Sequence, residues 1–287
     1  MTITPNLVWE CECLLGEGPV WLENEGALRF VDIKGGKLLR YDPANDTREV
    51  LETGGNPSFI YPTDSGALLF GSGQQLKLLY PDGQIETHCG IPDAGRNRTN
   101  DAAVDPQGRL WFGLSDKPED FPGGGVRCYD KGTITSVIDG VTVPNGPAIC
   151  VDGRLFYHVD SANRAIWRYT IGEDGSLRDH ALFTMIEEDA GYPDGVTLDA
   201  EGCLWVALWE GWGVRRYAPD GHLLEHIPFP CARVTKIAFG GPDLKTAYVT
   251  TARGGLSDEE LARQPLAGSL FAFESDVAGH HPNAMVL

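Results

Sequence analysis

The chain has 287 residues, 42% hydrophobic and 22% charged, with 36 glycines and 19 prolines, which is the balance of a soluble globular protein rich in turns. Its formal net charge is −18 and its pI about 4.7, with no run of Lys or Arg, so nucleic acid and anionic membrane surfaces are excluded as partners. The seven cysteines are scattered, without a CxxC pair or zinc-type Cys/His spacing, and no apolar run approaches the roughly 18–20 residues of a membrane span. "MTITPNLVWE" lacks the basic and apolar regions of a leader, and a reducing cytoplasm is the expected compartment.

In chain order, "LVWECECLL" reads as an opening strand that places Cys11 and Cys13 on one face. From Glu17 a unit then begins that recurs to the end of the chain. "EGPVWLENEGALRFVDI" is a strand, a turn ending at Gly26, and a second strand. "NPSFIYPTDSGALLFGS" repeats it from Asn56, "NDAAVDPQGRLWFGLS" from Asn100, "NGPAICVDGRLFYHVDS" from Asn145 and "DGVTLDAEGCLWVALW" from Asp194. "TKIAFGGPDLKTAYVTT" from Thr235 is a sixth copy without the turn glycine. Each copy continues into a strand bearing an aromatic residue, such as "KLLRYDPAN" or "VRRYAPDG", and most into a fourth, such as "TREVLE" or "LLEHIPF".

The units start 39 to 49 residues apart and hold four short strands each, the signature of β-propeller blades. The expected fold is therefore all-β: a single six-bladed β-propeller domain over residues 1–287, with antiparallel four-stranded blades and the N-terminal strand closing the last one. The one helical stretch is "SDEELARQ", with a Ser cap, acidic first turn and Pro265 after it.

The innermost strand of every blade lines a central channel. Glu17, Asn56, Asn100, Asn145, Asp194 and Thr235 share one repeat position and are predicted to approach the axis at one mouth. Each carries a side-chain oxygen. One reading makes them turn residues that bond local amides. The other makes them a ring of oxygen donors suited to a hard divalent cation, Ca²⁺, Mg²⁺ or Mn²⁺, with Fe²⁺ or Zn²⁺ admissible. His158 is expected to be a hydrogen-bonded core histidine, Asp32 and Asp160 to bind backbone amides between blades, and Trp209 and Trp212 to lie near the mouth.

"LLGEGPVW", "RTNDAAVDPQGRLWFG", "PNGPAICVDGRLFYHVDS", "YPDGVTLDAEGCLWVALW" and "FGGPDLKTAYVTTARGGLSDEELARQPLAGSLFAF" resemble, in order and over nearly the whole chain, the SMP-30/gluconolactonase/regucalcin family, and more closely its bacterial sugar-lactonase branch. The resemblance implies a propeller with one divalent metal, held by Glu17, Asn145 and Asp194, and hydrolysis of a sugar-acid lactone. It places the Arg-x-Asn substrate motif on Arg98 and Asn100. The family's acidic substrate contact has no clean counterpart in "KPEDFPGGGV", where Glu119 and Asp120 are the available acids. No G-x-S-x-G elbow is present, so activated water is the expected nucleophile, with Asp194 as its general base. The alternatives on this scaffold are a non-catalytic cation binder and a metal-dependent esterase or organophosphatase. The expected partner is a small sugar lactone, and the expected state a monomer or weak homo-oligomer.

Overall fold

A computed structural model describes residues 3–287; Met1 and Thr2, the start of the segment screened for a leader, lie outside them. Six four-stranded antiparallel sheets form the ring of a six-bladed propeller. Blade 1 comprises Gly16–Leu22, Ala27–Asp32, Lys37–Asp42 and Thr47–Glu52, from the axis outward. The innermost strands of blades 2 to 6 are Pro57–Pro62, Asn97–Val104, Pro144–Ile149, Tyr192–Leu198 and Val234–Gly240. The outermost strand of blade 6 is the N-terminal Asn6–Trp9, paired with Leu270–Glu274, so the first and last segments close the ring as expected.

The repeat's turn glycine is there for its backbone. Gly108 and Gly202 have φ of 79° and 74°, the left-handed region that a side chain disfavours. In blade 6 Leu244 takes that place with φ 57° and the equivalent hydrogen bond, N–H to the Gly241 carbonyl at 3.2 Å. It is buried among Trp21, Leu28 and Tyr248, and this apolar contact is what a glycine would forgo. Asp105 and Asp199 begin the same turn in blades 3 and 5. Each accepts from the backbone and from the indole N–H of a tryptophan six residues on, Trp111 at 2.8 Å and Trp205 at 2.9 Å. The "D-x-x-G-x-L-W" wording of those repeats is therefore a hydrogen-bonded frame.

The helix forms as expected over Asp258–Arg263, with a capping box between Ser257 and Glu260. Three expectations fail. Residues 10–15 are not strand: Glu12 turns left-handed (φ 52°), which curls the chain and brings the Cys11 and Cys13 sulfurs to 3.5 Å. Asp160 bonds Asn163 in its own turn instead of bridging blades, whereas Asp32 does hold the Leu14 and Leu15 amides of the linking segment at 3.0 and 2.9 Å. His158 is buried but neither ring nitrogen has a partner among the described residues, and burial pushes it down to about 4, so it stays neutral.

The C-terminal tail crosses the end of the channel at which the inner strands finish. Ala278 accepts from Ala200, Asn283 donates to the Val104 carbonyl, Val286 to Gly108, and Met285 pairs with Pro62 and Asp64. It touches blades 5, 3 and 2 in turn and floors the channel, leaving the mouth where the inner strands begin.

Candidate functional site

Every innermost strand carries a register shift at or beside the repeat's oxygen-bearing position: Glu17/Val20, Pro57/Phe59, Thr99/Ala102, Asn145/Ala148, Pro193/Val196 and Val234/Lys236. A β-bulge breaks the in–out alternation and re-aims a side chain. Here it turns a residue of an otherwise paired strand toward the channel. Gly146 shows the cost in backbone terms, with φ 69° directly after Asn145.

Four of the six ring residues, Glu17, Asn100, Asn145 and Asp194, line one cavity of about 410 Å³, each only 6–7% exposed. The expectation fails for the other two. Asn56 is exposed and its amide donates to the Ile33 carbonyl at 2.9 Å. Thr235 is buried with its hydroxyl donating to the Gly16 carbonyl at 2.6 Å and bonded to Thr250 at 2.8 Å. A nearby backbone carbonyl satisfies each of them, and neither lines the cavity.

The remaining four are tied together by amides. Asn100 donates through Nδ2 to Asn145 Oδ1 at 2.7 Å and to the Pro144 carbonyl at 3.0 Å. Asn145 Nδ2 donates to Ser161 Oγ at 2.9 Å, and that hydroxyl donates to the Pro193 carbonyl at 2.6 Å, beside Asp194. The network fixes the Asn145 amide with Oδ1 facing the cavity and one of its two lone pairs still open. Ser161 was not anticipated. Its only signal is a polar residue after "HVD" where blade 1 has Ile33 after "FVD".

Arg98 donates to Asn100 Oδ1 at 2.7 Å and to Glu119 at 3.2 Å. Glu119 lines the cavity and Asp120 does not; Asp120 pairs with Arg96. Of the two acids in "KPEDFPGGGV", the loop thus brings Glu119 to the cavity, in a left-handed conformation (φ 59°). Trp209 and Tyr192 form part of the wall and Lys34 its rim, with Leu15, Val143 and Pro193 supplying apolar surface. Trp212 is exposed and outside the cavity.

The electrostatics are unbalanced in one direction. Burial pushes the Glu17 carboxyl up to about 8, with the nearby Asp101 charge adding to it. Asp194 is raised well above the usual carboxylate range, first by burial and then by Glu17 and Asp101. Glu17 accepts one hydrogen bond, from the Gly18 N–H at 2.9 Å, and Asp194 accepts none from a described residue. Two buried carboxylates without a cationic partner are costly unless a cation joins them. No group of three His, Cys, Asp or Glu residues among the described residues has metal-holding spacing, so the third oxygen here would be an amide. Two carboxylates and an amide form a hard, all-oxygen donor set that fits a divalent cation.

A propeller with an oxygen-lined mouth defines a broad class of proteins. Residues 15–253 match the SMP-30/Gluconolactonase/LRE-like region family, and the chain belongs to that family. Among curated proteins it is 36% identical over 270 residues to a 6-deoxy-6-sulfogluconolactonase of Pseudomonas putida, covering 93% of each chain. It is also 36% identical over 288 residues to a pentonolactonase of Haloferax volcanii, covering 97% of this chain and 96% of that one. Among solved structures it superposes with a TM-score of 0.95 on regucalcin from Agrobacterium tumefaciens, described as a calcium-binding protein, at 26% identity over 100% of this chain and 99% of that one.

Proposed function

We propose that the protein hydrolyses a sugar-acid lactone to the free aldonic acid, using one divalent cation held by Glu17, Asn145 and Asp194. The observation that carries this reading is the pair of buried carboxylates, neither with a cationic partner among the described residues, beside a fixed amide oxygen in the wall of the cavity. Relatives named as lactonases at 36% identity over most of the chain support the substrate class.

A bound dication would supply Lewis acidity toward the lactone carbonyl and lower the pKa of water. The rest falls to side chains. Asp194, whose basicity its surroundings raise, takes the proton from the attacking water and later returns it to the departing ring oxygen. Water adds to the carbonyl carbon, the ring C–O bond breaks, and the products are a carboxylic acid and a hydroxyl on one open chain. Arg98 and Asn100 hold the substrate's hydroxyls and face the developing oxyanion, and Glu119 fixes the Arg98 guanidinium. Trp209 and Tyr192 offer apolar faces for a sugar ring. The free thiols of all seven cysteines suit a reducing cytoplasm.

A second reading has its own support: the likeness to a calcium-binding regucalcin fits a cation binder without hydrolysis. One experiment separates them. The protein is stripped with chelator, Ca²⁺, Mg²⁺, Mn²⁺, Fe²⁺ or Zn²⁺ is restored singly, and acid release from gluconolactone, xylonolactone, arabinonolactone and galactonolactone is followed. Cation-dependent release above the uncatalysed rate is expected. Background rates under every condition, with a cation nonetheless bound, would leave the binding role alone standing.

A further inference from the structure

One residue past the ring, the repeat reads Gly18, Pro57, Asp101, Gly146, Gly195 and Lys236. Blades 1, 4 and 5 place glycine at this level and blade 2 an apolar proline. The two polar side chains come from blades 3 and 6, which face each other across a six-membered ring. They meet: the Lys236 ammonium donates to one Asp101 oxygen and, at 3.4 Å, to the Ala102 carbonyl, with side chains 5% and 2% exposed. A Cβ at Gly195 would stand 2.6 Å from Lys236 Cβ and Cγ, so the glycine beside Asp194 is what lets the lysine stem cross. The second Asp101 oxygen has no hydrogen-bond partner among the described residues. Tyr61 closes the end of the bar by donating to the same Ala102 carbonyl at 2.9 Å. Lys236 also lines the smaller cavity that the C-terminal residues 280–283 help enclose.

Three buried carboxylates share the channel here: Glu17, Asp101 and Asp194. With Lys236 protonated and all three carboxylates ionised, the cluster carries a net charge of −2, which one divalent cation cancels. An ammonium whose charge acts on both Glu17 and Asp194 is also their competing counter-ion. Alone it would neutralise them in the cation's place; bonded to Asp101 it is held one level down.

We propose that Asp101 and Lys236 are positioning residues for the cation site: Asp101 restrains the Lys236 ammonium below Glu17 and Asp194, so that the ligand carboxylates keep a net −2 for a dication. This rests on the reading of Glu17, Asn145 and Asp194 as ligands. Neither residue touches substrate, and neither is a ligand. The pair acts through the charge it presents and the charge it withholds.

The test is the affinity of the chelator-stripped, full-length protein for Ca²⁺ and Mn²⁺, read by calorimetry at fixed pH and ionic strength, with melting curves confirming that each variant is folded. Asp101→Asn frees the ammonium to pair with the ligand carboxylates, and dication affinity falls roughly tenfold or more. Asp101→Asn/Lys236→Met removes both charges, and affinity returns to within about threefold of the wild type. Lys236→Met alone lowers the melting temperature, because it strands the buried Asp101 carboxylate, without weakening the cation. A purely structural role would weaken binding most in the double variant. Unchanged affinity in Asp101→Asn, or a loss that the double variant does not restore, overturns the proposal while leaving the ligand assignment intact. A wild-type protein that binds no dication overturns both.

Discussion

Asn145 and Asn56 stand at the same position of their blades, beside the same kind of bulge, and have opposite fates. Asn145 is buried, its amide locked by Asn100 and Ser161, and its oxygen faces the cavity. Asn56 is exposed and spends its amide on the Ile33 carbonyl of the neighbouring blade. Thr235 behaves like Asn56, its hydroxyl taken by Gly16. A shared register brings six oxygens to one level, but the hydrogen bonds around each side chain decide whether it reaches the cavity. Glu17, Asn145 and Asp194 spend no donor on a backbone carbonyl, and Asn100 divides its amide between the Pro144 carbonyl and Asn145 while still lining the cavity; Asn56 and Thr235 are held away from it.

The sharpest way to break this contrast is at the free positions. Asp194→Asn removes the proposed base and one ligand charge, and lactone hydrolysis should fall by roughly 10³-fold or more, with dication binding weakened in calorimetry. Wild-type turnover in this variant would remove Asp194 from the mechanism. Arg98→Gln keeps the cavity shape but loses the charged hydrogen bonds, so kcat/KM should drop by roughly ten- to a hundredfold while cation affinity holds. If the cation is lost with it, Arg98 serves the metal site and not the substrate.

A third measurement uses pH. Glu17 sits at about 8 in the cation-free protein against 4.5 for an ordinary glutamate, so across that window the folded chain binds a proton that the unfolded chain has released. Stability of the stripped protein should therefore fall as pH rises from about 4.5 to 8, as Asp194 reinforces in the same direction. Dication affinity should climb over the same range as the proton is displaced, and flatten above it. Affinity independent of pH would mean that Glu17 is already ionised without the cation.

The smallest effects belong to the consumed positions. Asn56→Ala and Thr235→Val each delete a hydrogen bond to backbone, costing about 1 kcal/mol of stability by denaturant titration. Hydrolysis and cation binding should be unchanged. A loss of binding in either variant would restore the six-member ring that the sequence register predicts.

Much of the fold is legible in the chain because its cause is local. The turn glycines at Gly108 and Gly202 answer a left-handed backbone, and the four-strand unit recurs at blade length. The Ser257 cap likewise follows from neighbours in sequence. Of the site, Glu17, Asn100, Asn145 and Asp194 are grouped by register alone, and Arg98 by resemblance. Glu119 over Asp120, Ser161 behind Asn145, and the bar from Asp101 to Lys236 are not legible in this way. Each depends on which groups from distant parts of the chain come within hydrogen-bond reach.

By itself, then, the sequence determined six blades, their closure by the N-terminal strand, and one level at which oxygens converge, because strand period and turn geometry repeat with every unit. Tertiary structure decided which of those oxygens remain free, which loop acid meets Arg98, and that the tail floors the channel. Those outcomes are settled by hydrogen bonds and charges between blades, where residues 135 positions apart, such as Asp101 and Lys236, become each other's nearest partner.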